Sequence, residues 1–373
     1  MELEDESIHV VIAGGKTGGH LFPGVAVAEA IMAMDGGHHV TFVGTEEGLE
    51  SRVIPELGFD LRCVDVQPLK GGSLGARLSS LSTLPGAAIE ARSVLKELDP
   101  DVVVSVGSYA AGPITLMASM MGKKTALMEQ NSYPGLTNRL LSRVVDRAFL
   151  TFEESAQHLT LAKGQVGVTG NPVRRDLVER AREFNYRVRD DEGAFRILVI
   201  GGSGGAGSFN ESLPGLFSAL EEQGSELSIR HQAGHGRAQG VRPRYEGFDG
   251  DVEVLEFIDD MSEAYAWCDL LICRAGATTI AEVLTLGIPA LFVPFPHAAD
   301  DHQRSNALAM VKQGAAVMIG DEELHSPRSE RLINGLITNP QALANMAAQA
   351  KSLARPQAAQ EIAKALLEVC RGD

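Results

Sequence analysis

The feature that most constrains this chain is an apolar run followed at once by a glycine-rich loop and a helix, and it occurs twice. Ile8 to Ala13 leads into Gly14-Gly15-Lys16-Thr17-Gly18-Gly19-His20, and Arg196 to Ile200 leads into Gly201-Gly202-Ser203-Gly204-Gly205-Ala206-Gly207. A continuous apolar run is a strand covered on both faces, the situation of a parallel sheet flanked by helices. A third stretch, Cys268 to Asn306, repeats the theme. Leu270 to Cys273 reads as a strand and Arg274-Ala275-Gly276 breaks it. Ala277 to Leu286 has helical spacing, Gly287 stops that helix, and Ile288 to Val293 is the next strand.

Alternation fills the rest. After a helix over Leu21 to Met34 come a strand at His39 to Val43, a helix at Leu49 to Leu57 and a strand at Phe59 to Val64. A helix at Leu78 to Leu98, a strand at Val102 to Val106, a helix at Ala110 to Met121 and a strand at Lys124 to Met128 follow. GVTGNPVRRD, at 167–176, is a turn-rich boundary. The second alternation has a helix at Phe209 to Glu222 and strands at Leu227 to Gln232 and Val252 to Phe257. Asn345 to Ala354 and Gln357 to Val369 read as helices in a tail broken at Pro340 and Pro356. The expected organisation is α/β, with doubly wound parallel-sheet domains at 8–172 and 173–355 and a final helical segment, 356–373, packing back on the first domain.

Composition narrows the function. With 44% hydrophobic and 22% charged residues the chain reads as globular, and a net charge of −16 argues against nucleic acid as a partner. Four cysteines, Cys63, Cys268, Cys273 and Cys370, lack metal-ligand spacing. Cys63, Cys268 and Cys273 lie in or beside strands and read as buried thiols in a reducing cytoplasm. The opening MELEDES does not resemble a signal peptide, and no stretch of about 18 apolar residues reads as a membrane span.

Two familiar phosphate motifs fail on inspection. A Walker-type loop needs a glycine where Val10 stands, and GxGxxG at Gly202, Gly204 and Gly207 lacks an acid ending the following strand, which ends His231-Gln232. The third stretch is more informative. A helix start after Gly276 suits a phosphate. Glu282, further along the helix, can accept ribose hydroxyls, while Gln303 and Asn306 share a helical face suited to a sugar. The plain alternative is an ordinary βαβ unit with a solvated glutamate.

Taken together, AGGKTGGHLFPG (13–24), MEQNSYPGLTN (128–138), GNPVRRD (170–176), GGSGGA (201–206), EFIDDM (256–261), CRAGATTIAE (273–282) and FVPFPHAADDHQRSNA (292–307) closely resemble, in order, the MurG-type enzymes of glycosyltransferase family 28. The resemblance implies a GT-B fold, two Rossmann-like domains facing across a cleft. The first would bind acceptor and membrane and the second the UDP-sugar. It implies transfer of N-acetylglucosamine from UDP-N-acetylglucosamine to the 4-hydroxyl of undecaprenyl-pyrophosphoryl-muramoyl-pentapeptide, with inversion, in peptidoglycan synthesis. The site would be at the cytoplasmic face of the cell membrane, with an anionic membrane surface and other cell-wall synthesis proteins as partners. Rival readings are another GT-B enzyme, such as a diacylglycerol glycosyltransferase or a UDP-N-acetylglucosamine 2-epimerase, and a non-catalytic nucleotide-sugar-binding regulator.

By the same resemblance Ile258 meets the uracil, Glu282 the ribose, and Ser203 and Arg174 the diphosphate. Ala277, Thr278, Thr279, Ile280 and Ala281 form the helix start under the phosphates, and Gln303 and Asn306 hold the sugar. Thr17, Gly18, Gly19 and Asn131 approach from the first domain, and Lys16 and Tyr109 belong to the acceptor side. His20 is the expected general base, with Glu129 as its orienter or substitute. No acidic cluster is spaced like a metal clamp, Asp300-Asp301 being the nearest case, so no metal or other cofactor is expected. The membrane patch is expected over Leu69 to Leu84, with Lys70, Leu74 and Arg77. The chain departs from the family pattern at Lys16 and Ser108, where glycines are usual, at Met128, where histidine is common, and at Gly204 and Gly207, which replace Gln and Arg.

Overall fold

The computed structural model describes residues 7–66, 74–161, 164–186, 193–202 and 204–371, with the side chains of 74–85 outside that description. The chain divides into two compact units, one containing the residues up to Arg174 together with those from Arg355 onward, the other Arg175–Ala354.

In the first unit β1 (His9–Ala13), β2 (His39–Gly44), β3 (Asp60–Cys63), β4 (Val102–Ser105), β5 (Lys124–Glu129), β6 (Arg147–Leu150) and β7 (Gln165–Val168) form one sheet in the order β3-β2-β1-β4-β5-β6-β7. Every pairing is parallel. The helices are α1 (Gly18–Met32), α2 (Glu50–Glu56), α3 (Leu74–Leu98), α4 (Ala111–Met120) and α5 (Leu136–Leu141). Because side chains alternate across a strand, β1 feeds two cores. Val10 and Ile12 join Leu21, Val25 and Ile31 of α1 on one face, while Val11 and Ala13 join Ala91, Leu95 and Ile114 of α3 and α4 on the other. That double burial is why IHVVIA carries no polar interruption after His9.

β6 and β7 escape sequence reading for a physical reason. β6 is four residues long and begins at Arg147, and β7 is an edge strand with a glycine in it and with Val166 and Val168 exposed. Cys63 is exposed on the opposite edge strand, so the expectation of a buried thiol fails there, whereas Cys268 and Cys273 are buried.

The second unit has β8 (Phe195–Ile200), β9 (Leu227–Gln232), β10 (Asp251–Leu255), β11 (Leu270–Cys273), β12 (Ala290–Phe292) and β13 (Val317–Met318), in the order β10-β9-β8-β11-β12-β13. It too is wholly parallel. Around it lie α6 (Arg175–Glu183), α7 (Gly207–Glu222), α8 (Ala238–Val241), α9 (Met261–Trp267), α10 (Ala277–Leu286), α11 (His302–Lys312), α12 (Pro327–Ile337) and α13 (Pro340–Ser352). α13 starts five residues before the Asn345 expected from the sequence. Pro340 is not a break but the first helical residue, and Asn339 caps the helix by accepting from Ala342 N at 3.1 Å. The last helix, α14 (Ala358–Arg371), buries Ile362, Ala363, Leu366 and Leu367 in the core of the first unit with Ile8, Val10 and Val27.

His231, at the end of β9 where a dinucleotide fold would carry its acid, is fully buried. Its Nε2–H donates to Asn210 Oδ1 at 3.0 Å and its Nδ1 accepts from the Tyr245 hydroxyl at 2.8 Å, so the neutral ring is satisfied. Burial lowers its pKa from 6.5 to about 4. The unfolded chain therefore binds the proton first, and stability present above pH 6.5 is lost as pH falls toward 4. At about 1.4 kcal/mol per pH unit the loss is about 3 kcal/mol. Urea titrations of the parent and His231→Gln between pH 7 and pH 4 should show a steeper loss in the parent; parallel curves would refute the assignment.

Candidate active site at two topological switch points

In a doubly wound sheet the strands on either side of the point where the order reverses send their following loops apart and open a crevice. In the first unit that point lies between β1 and β4. A Cβ on Gly14, at φ +112°, would lie 2.2 Å from the Gly107 carbonyl oxygen, so glycine is what lets the two loops touch. Gly107, at φ +94°, does the same for His20, whose Cδ2 would be 2.6 Å from an added Cβ. The glycine loop is shorter than the sequence suggests. α1 begins at Gly18, with Thr17 as its extended N-cap, so Gly18, Gly19 and His20 form the first helical turn. This places His20 Nδ1 3.1 Å from Thr17 Oγ1 and leaves the ring half-buried.

Lys16 adopts φ +72°, its backbone N–H donates to Glu50 Oε2 at 2.6 Å, and its Nζ stands 4.8 Å from the centre of the Tyr109 ring. Glu50 is fully buried and also accepts from Thr45 N at 2.9 Å and Thr45 Oγ1 at 3.1 Å. Its carboxylate thus ties the β1 loop to the end of β2.

Glu129 does not suit the role of base. It is 3% exposed and accepts from Asn131 N (2.9 Å), Asn131 Nδ2 (3.3 Å), Gly135 N (3.2 Å) and Asn138 Nδ2 (2.9 Å). Burial pushes its carboxyl above the usual range, and the amides of its own loop pull it back. It is the scaffold of the 129–138 loop and positions Asn131. Arg174 is half-buried, with its guanidinium carbon 5.8 Å from the Phe22 ring centre, whereas Arg175 is exposed and pairs with Glu179 at 2.8 Å.

In the second unit the order reverses between β8 and β11. Ser203, expected at the diphosphate, lies outside the described residues. After β11, Gly276 is the N-cap of α10 and has no side chain with which to cap the first amides. Of the five residues expected there, Ala277, Ile280 and Ala281 have buried side chains, and the Ile280 N–H donates to Gly276 O at 2.9 Å, the first of the helix's own hydrogen bonds. Glu282 is half-buried, and its Oε2 accepts from the Tyr265 hydroxyl at 2.8 Å. Tyr265 is buried, and its phenol is held well above its ordinary pKa, chiefly by that burial and next by the Glu282 charge. It is therefore a fixed donor that orients the carboxylate and takes one of its oxygens.

Ile258 is buried just beyond β10, and its neighbour Phe257 is 56% exposed. Of the expected sugar pair, Gln303 is half-buried, with Oε1 accepting from Phe295 N at 2.9 Å. Asn306 is fully buried, its Nδ2 3.4 Å from Ala275 O. Asn306 thus braces the loop after β11 through Ala275. Among the described residues no group of three His, Cys, Asp or Glu side chains is placed to hold a metal ion.

Sequence reasoning missed Glu50, Tyr265 and Arg274. Arg274 was legible only as a strand breaker, yet a charged residue ending a fully buried strand is itself a signal, because such a charge has to be paired.

The glycosyltransferase family 28 N-terminal domain matches residues 10–150, and the family's C-terminal domain matches residues 196–362. A Myxococcus xanthus protein described as UDP-N-acetylglucosamine–N-acetylmuramyl-(pentapeptide) pyrophosphoryl-undecaprenol N-acetylglucosamine transferase is 43% identical over 96% of this chain and 92% of its own. A protein of the same description from Anaeromyxobacter dehalogenans strain 2CP-C is 44% identical over 98% of this chain and 94% of its own. The crystal structure of Acinetobacter baumannii MurG superimposes with a TM-score of 0.80 at 32% identity, covering 97% of this chain and 99% of that one. The chain belongs to glycosyltransferase family 28, and its two parallel sheets with their switch-point loops are the GT-B fold of that family.

Proposed function

We propose that this protein transfers N-acetylglucosamine from UDP-N-acetylglucosamine to the muramoyl 4-hydroxyl of undecaprenyl-pyrophosphoryl-muramoyl-pentapeptide, a step of peptidoglycan synthesis; its relatives are named for the same donor, acceptor and transferred sugar. One observation of the site carries the reading: at the second unit's switch point an uncapped helix start is followed along α10 by a carboxylate oriented by a buried tyrosine. Amides at the helix start suit the diphosphate. Glu282, oriented by Tyr265, accepts from the ribose hydroxyls. Ile258 meets the uracil through its backbone, and Gln303 the sugar. Arg174 and Ser203 complete the diphosphate contacts.

The first unit supplies the acceptor side, with Thr17, Gly18, Gly19, Asn131, Lys16 and Tyr109. With Nδ1–H donated to Thr17 Oγ1, His20 presents Nε2 as the base. Nε2 takes the hydroxyl proton as the acceptor oxygen bonds to the sugar C1 and the C1–phosphate oxygen bond breaks, and the electron pair leaves with UDP. Inversion follows from that single displacement. The helix start and Arg174 offset the charge that develops on the diphosphate.

No helix among the described residues is long and apolar enough to cross a membrane. An acceptor with an undecaprenyl chain requires the enzyme to reach a bilayer, and we place that contact on the first unit at the cytoplasmic face. The patch expected over Leu69 to Leu84 lies outside the described residues and side chains. On α3, α4 and α5, Ile89 and Met120 are each 72% exposed, Leu136 55% and Leu140 53%. Arg92 and Lys96, exposed on α3 with Ile89, Lys124, exposed at the start of β5, and Arg143, exposed just after α5, add cations that suit an anionic interface.

Three measurements test the proposal. The purified protein should move labelled N-acetylglucosamine from UDP to a polyprenyl-pyrophosphoryl-muramoyl-peptide and leave diacylglycerol untouched. In that assay Glu282→Ala should raise the donor KM at least about tenfold, the effect of losing hydrogen bonds to a charged group; an unchanged KM removes the ribose role. His20→Ala should lower kcat by about 10²–10⁴ with donor affinity unmoved in calorimetry; a change within a few-fold removes the base role. Third, Ile89→Ser, Met120→Ser and Leu140→Ser combined should weaken sedimentation with anionic vesicles while the protein stays folded; equal binding would put the contact elsewhere.

A further inference from the structure

Arg274 is only 9% exposed, and it stands where β11 turns into the loop that starts α10. Its Nη1 donates to Val293 O at 3.1 Å, Pro294 O at 3.3 Å and Asp321 Oδ1 at 2.5 Å, and its Nη2 donates to Ser208 Oγ at 2.9 Å. Ser208 in turn donates to Asp321 Oδ1 at 2.7 Å. The guanidinium carbon lies 4.4 Å from the Phe209 ring centre and 5.5 Å from that of Phe295.

Those partners belong to separate pieces of the site. Ser208 and Phe209 are in the first turn of α7, directly after the second glycine loop. Val293 to Phe295 follow β12, and the Phe295 N–H is held by Gln303. Arg274 itself precedes Gly276 and the α10 start. Just beyond the last ladder bonds, Val293 N–H to Cys273 O at 2.8 Å and Arg274 N–H to Ile200 O at 3.4 Å, three loops that leave the carboxyl edge of one sheet therefore converge on one planar cation. Asp321 neutralises it, so the group offers geometry rather than net charge. A guanidinium has donors in fixed directions, which a lysine ammonium at the end of a flexible stem does not reproduce.

We propose that Arg274, braced by Asp321 and Ser208, is the positioning residue of the donor site: it sets the spacing between the α7 start, the α10 start and the 293–295 segment, and so fixes how a nucleoside-diphosphate sugar is held. The proposal rests on the reading of the second unit as the donor-binding one. It assigns Arg274 no contact with the donor, since its Nη groups are engaged by protein.

The test is calorimetry with UDP-N-acetylglucosamine and with UDP alone, alongside kinetics with the lipid-linked acceptor, on the parent, Ser208→Ala, Arg274→Lys and Arg274→Ala. Ser208→Ala removes two hydrogen bonds, one from Arg274 and one to Asp321, and almost no volume, so it should fold as the parent does and bind the donor about threefold to tenfold more weakly. Arg274→Lys should weaken the donor more than tenfold, with the acceptor KM within twofold of the parent. Millimolar guanidinium should restore part of the donor affinity of Arg274→Ala, a rescue that lost packing alone would not give. Should the Arg274 variants fail to fold, Ser208→Ala decides. Unchanged donor affinity in Ser208→Ala, or equal shifts in donor and acceptor KM, overturns the proposal. A parent that binds UDP-N-acetylglucosamine but transfers nothing would refute the transferase reading and leave this one standing.

Discussion

Past the last ladder bonds, the loops at the carboxyl edge of a parallel sheet have only side chains to hold them, and in each unit a buried charged side chain takes over much of that task. Glu50 does so in the first unit through the Lys16 and Thr45 amides, and Arg274 in the second through Ser208, Asp321 and two carbonyls. Burying a charge is costly unless hydrogen bonds surround it, and once surrounded, those bonds are worth roughly twice neutral ones. The solution is therefore stiff: neither side chain can leave its partners without exposing an unpaired charge to an apolar interior. Loops that must meet a ligand while staying open to solvent thereby acquire the definition of a core.

The two anchors differ in sign, and the difference suits what each loop is proposed to do. The carboxylate of Glu50 turns peptide N–H groups inward, which shapes the glycine loop but spends donors on the protein. The guanidinium of Arg274 engages two carbonyls, a carboxylate and a hydroxyl instead, and takes up no peptide N–H. A phosphate-binding helix start benefits from a neighbouring cation, and a neutralised one holds the loop without trapping the ligand.

Much of this was legible in the sequence. IHVVIA and RILVI announce strands buried on both faces, and the glycines after them announce loops, because periodicity and φ-permissiveness are local properties. Glu282 was legible from its place along α10, but its tyrosine donor was not, since Tyr265 is contributed by another helix and only the fold brings them together. The surroundings of Glu129 and Asn306 were illegible for the same reason: a carboxylate and an amide look functional in sequence, and only the fold shows how deeply they are buried and which loops they brace. β7 was illegible because an edge strand needs no hydrophobic alternation to be paired on one side.

The departures from the family pattern sort by the same physics. Lys16 and Ser108 hold φ of +72° and +73°, a region that costs a residue with a Cβ about 1–2 kcal/mol. At Lys16 the cost is offset by the amide bond to the Glu50 carboxylate, worth about 1.5–3 kcal/mol. The loop thus keeps its shape without glycine and gains a cation beside Tyr109. Gly204 and Gly207 are the reverse case. Neither has a left-handed φ, and a Cβ on either would meet only open space, so the backbone there does not demand glycine. What changes at those positions is the loss of polar side chains rather than the shape of the loop. On the proposed reading the diphosphate then depends mainly on the α10 start, whose place the Arg274 network sets, with fewer side-chain donors than the family pattern provides.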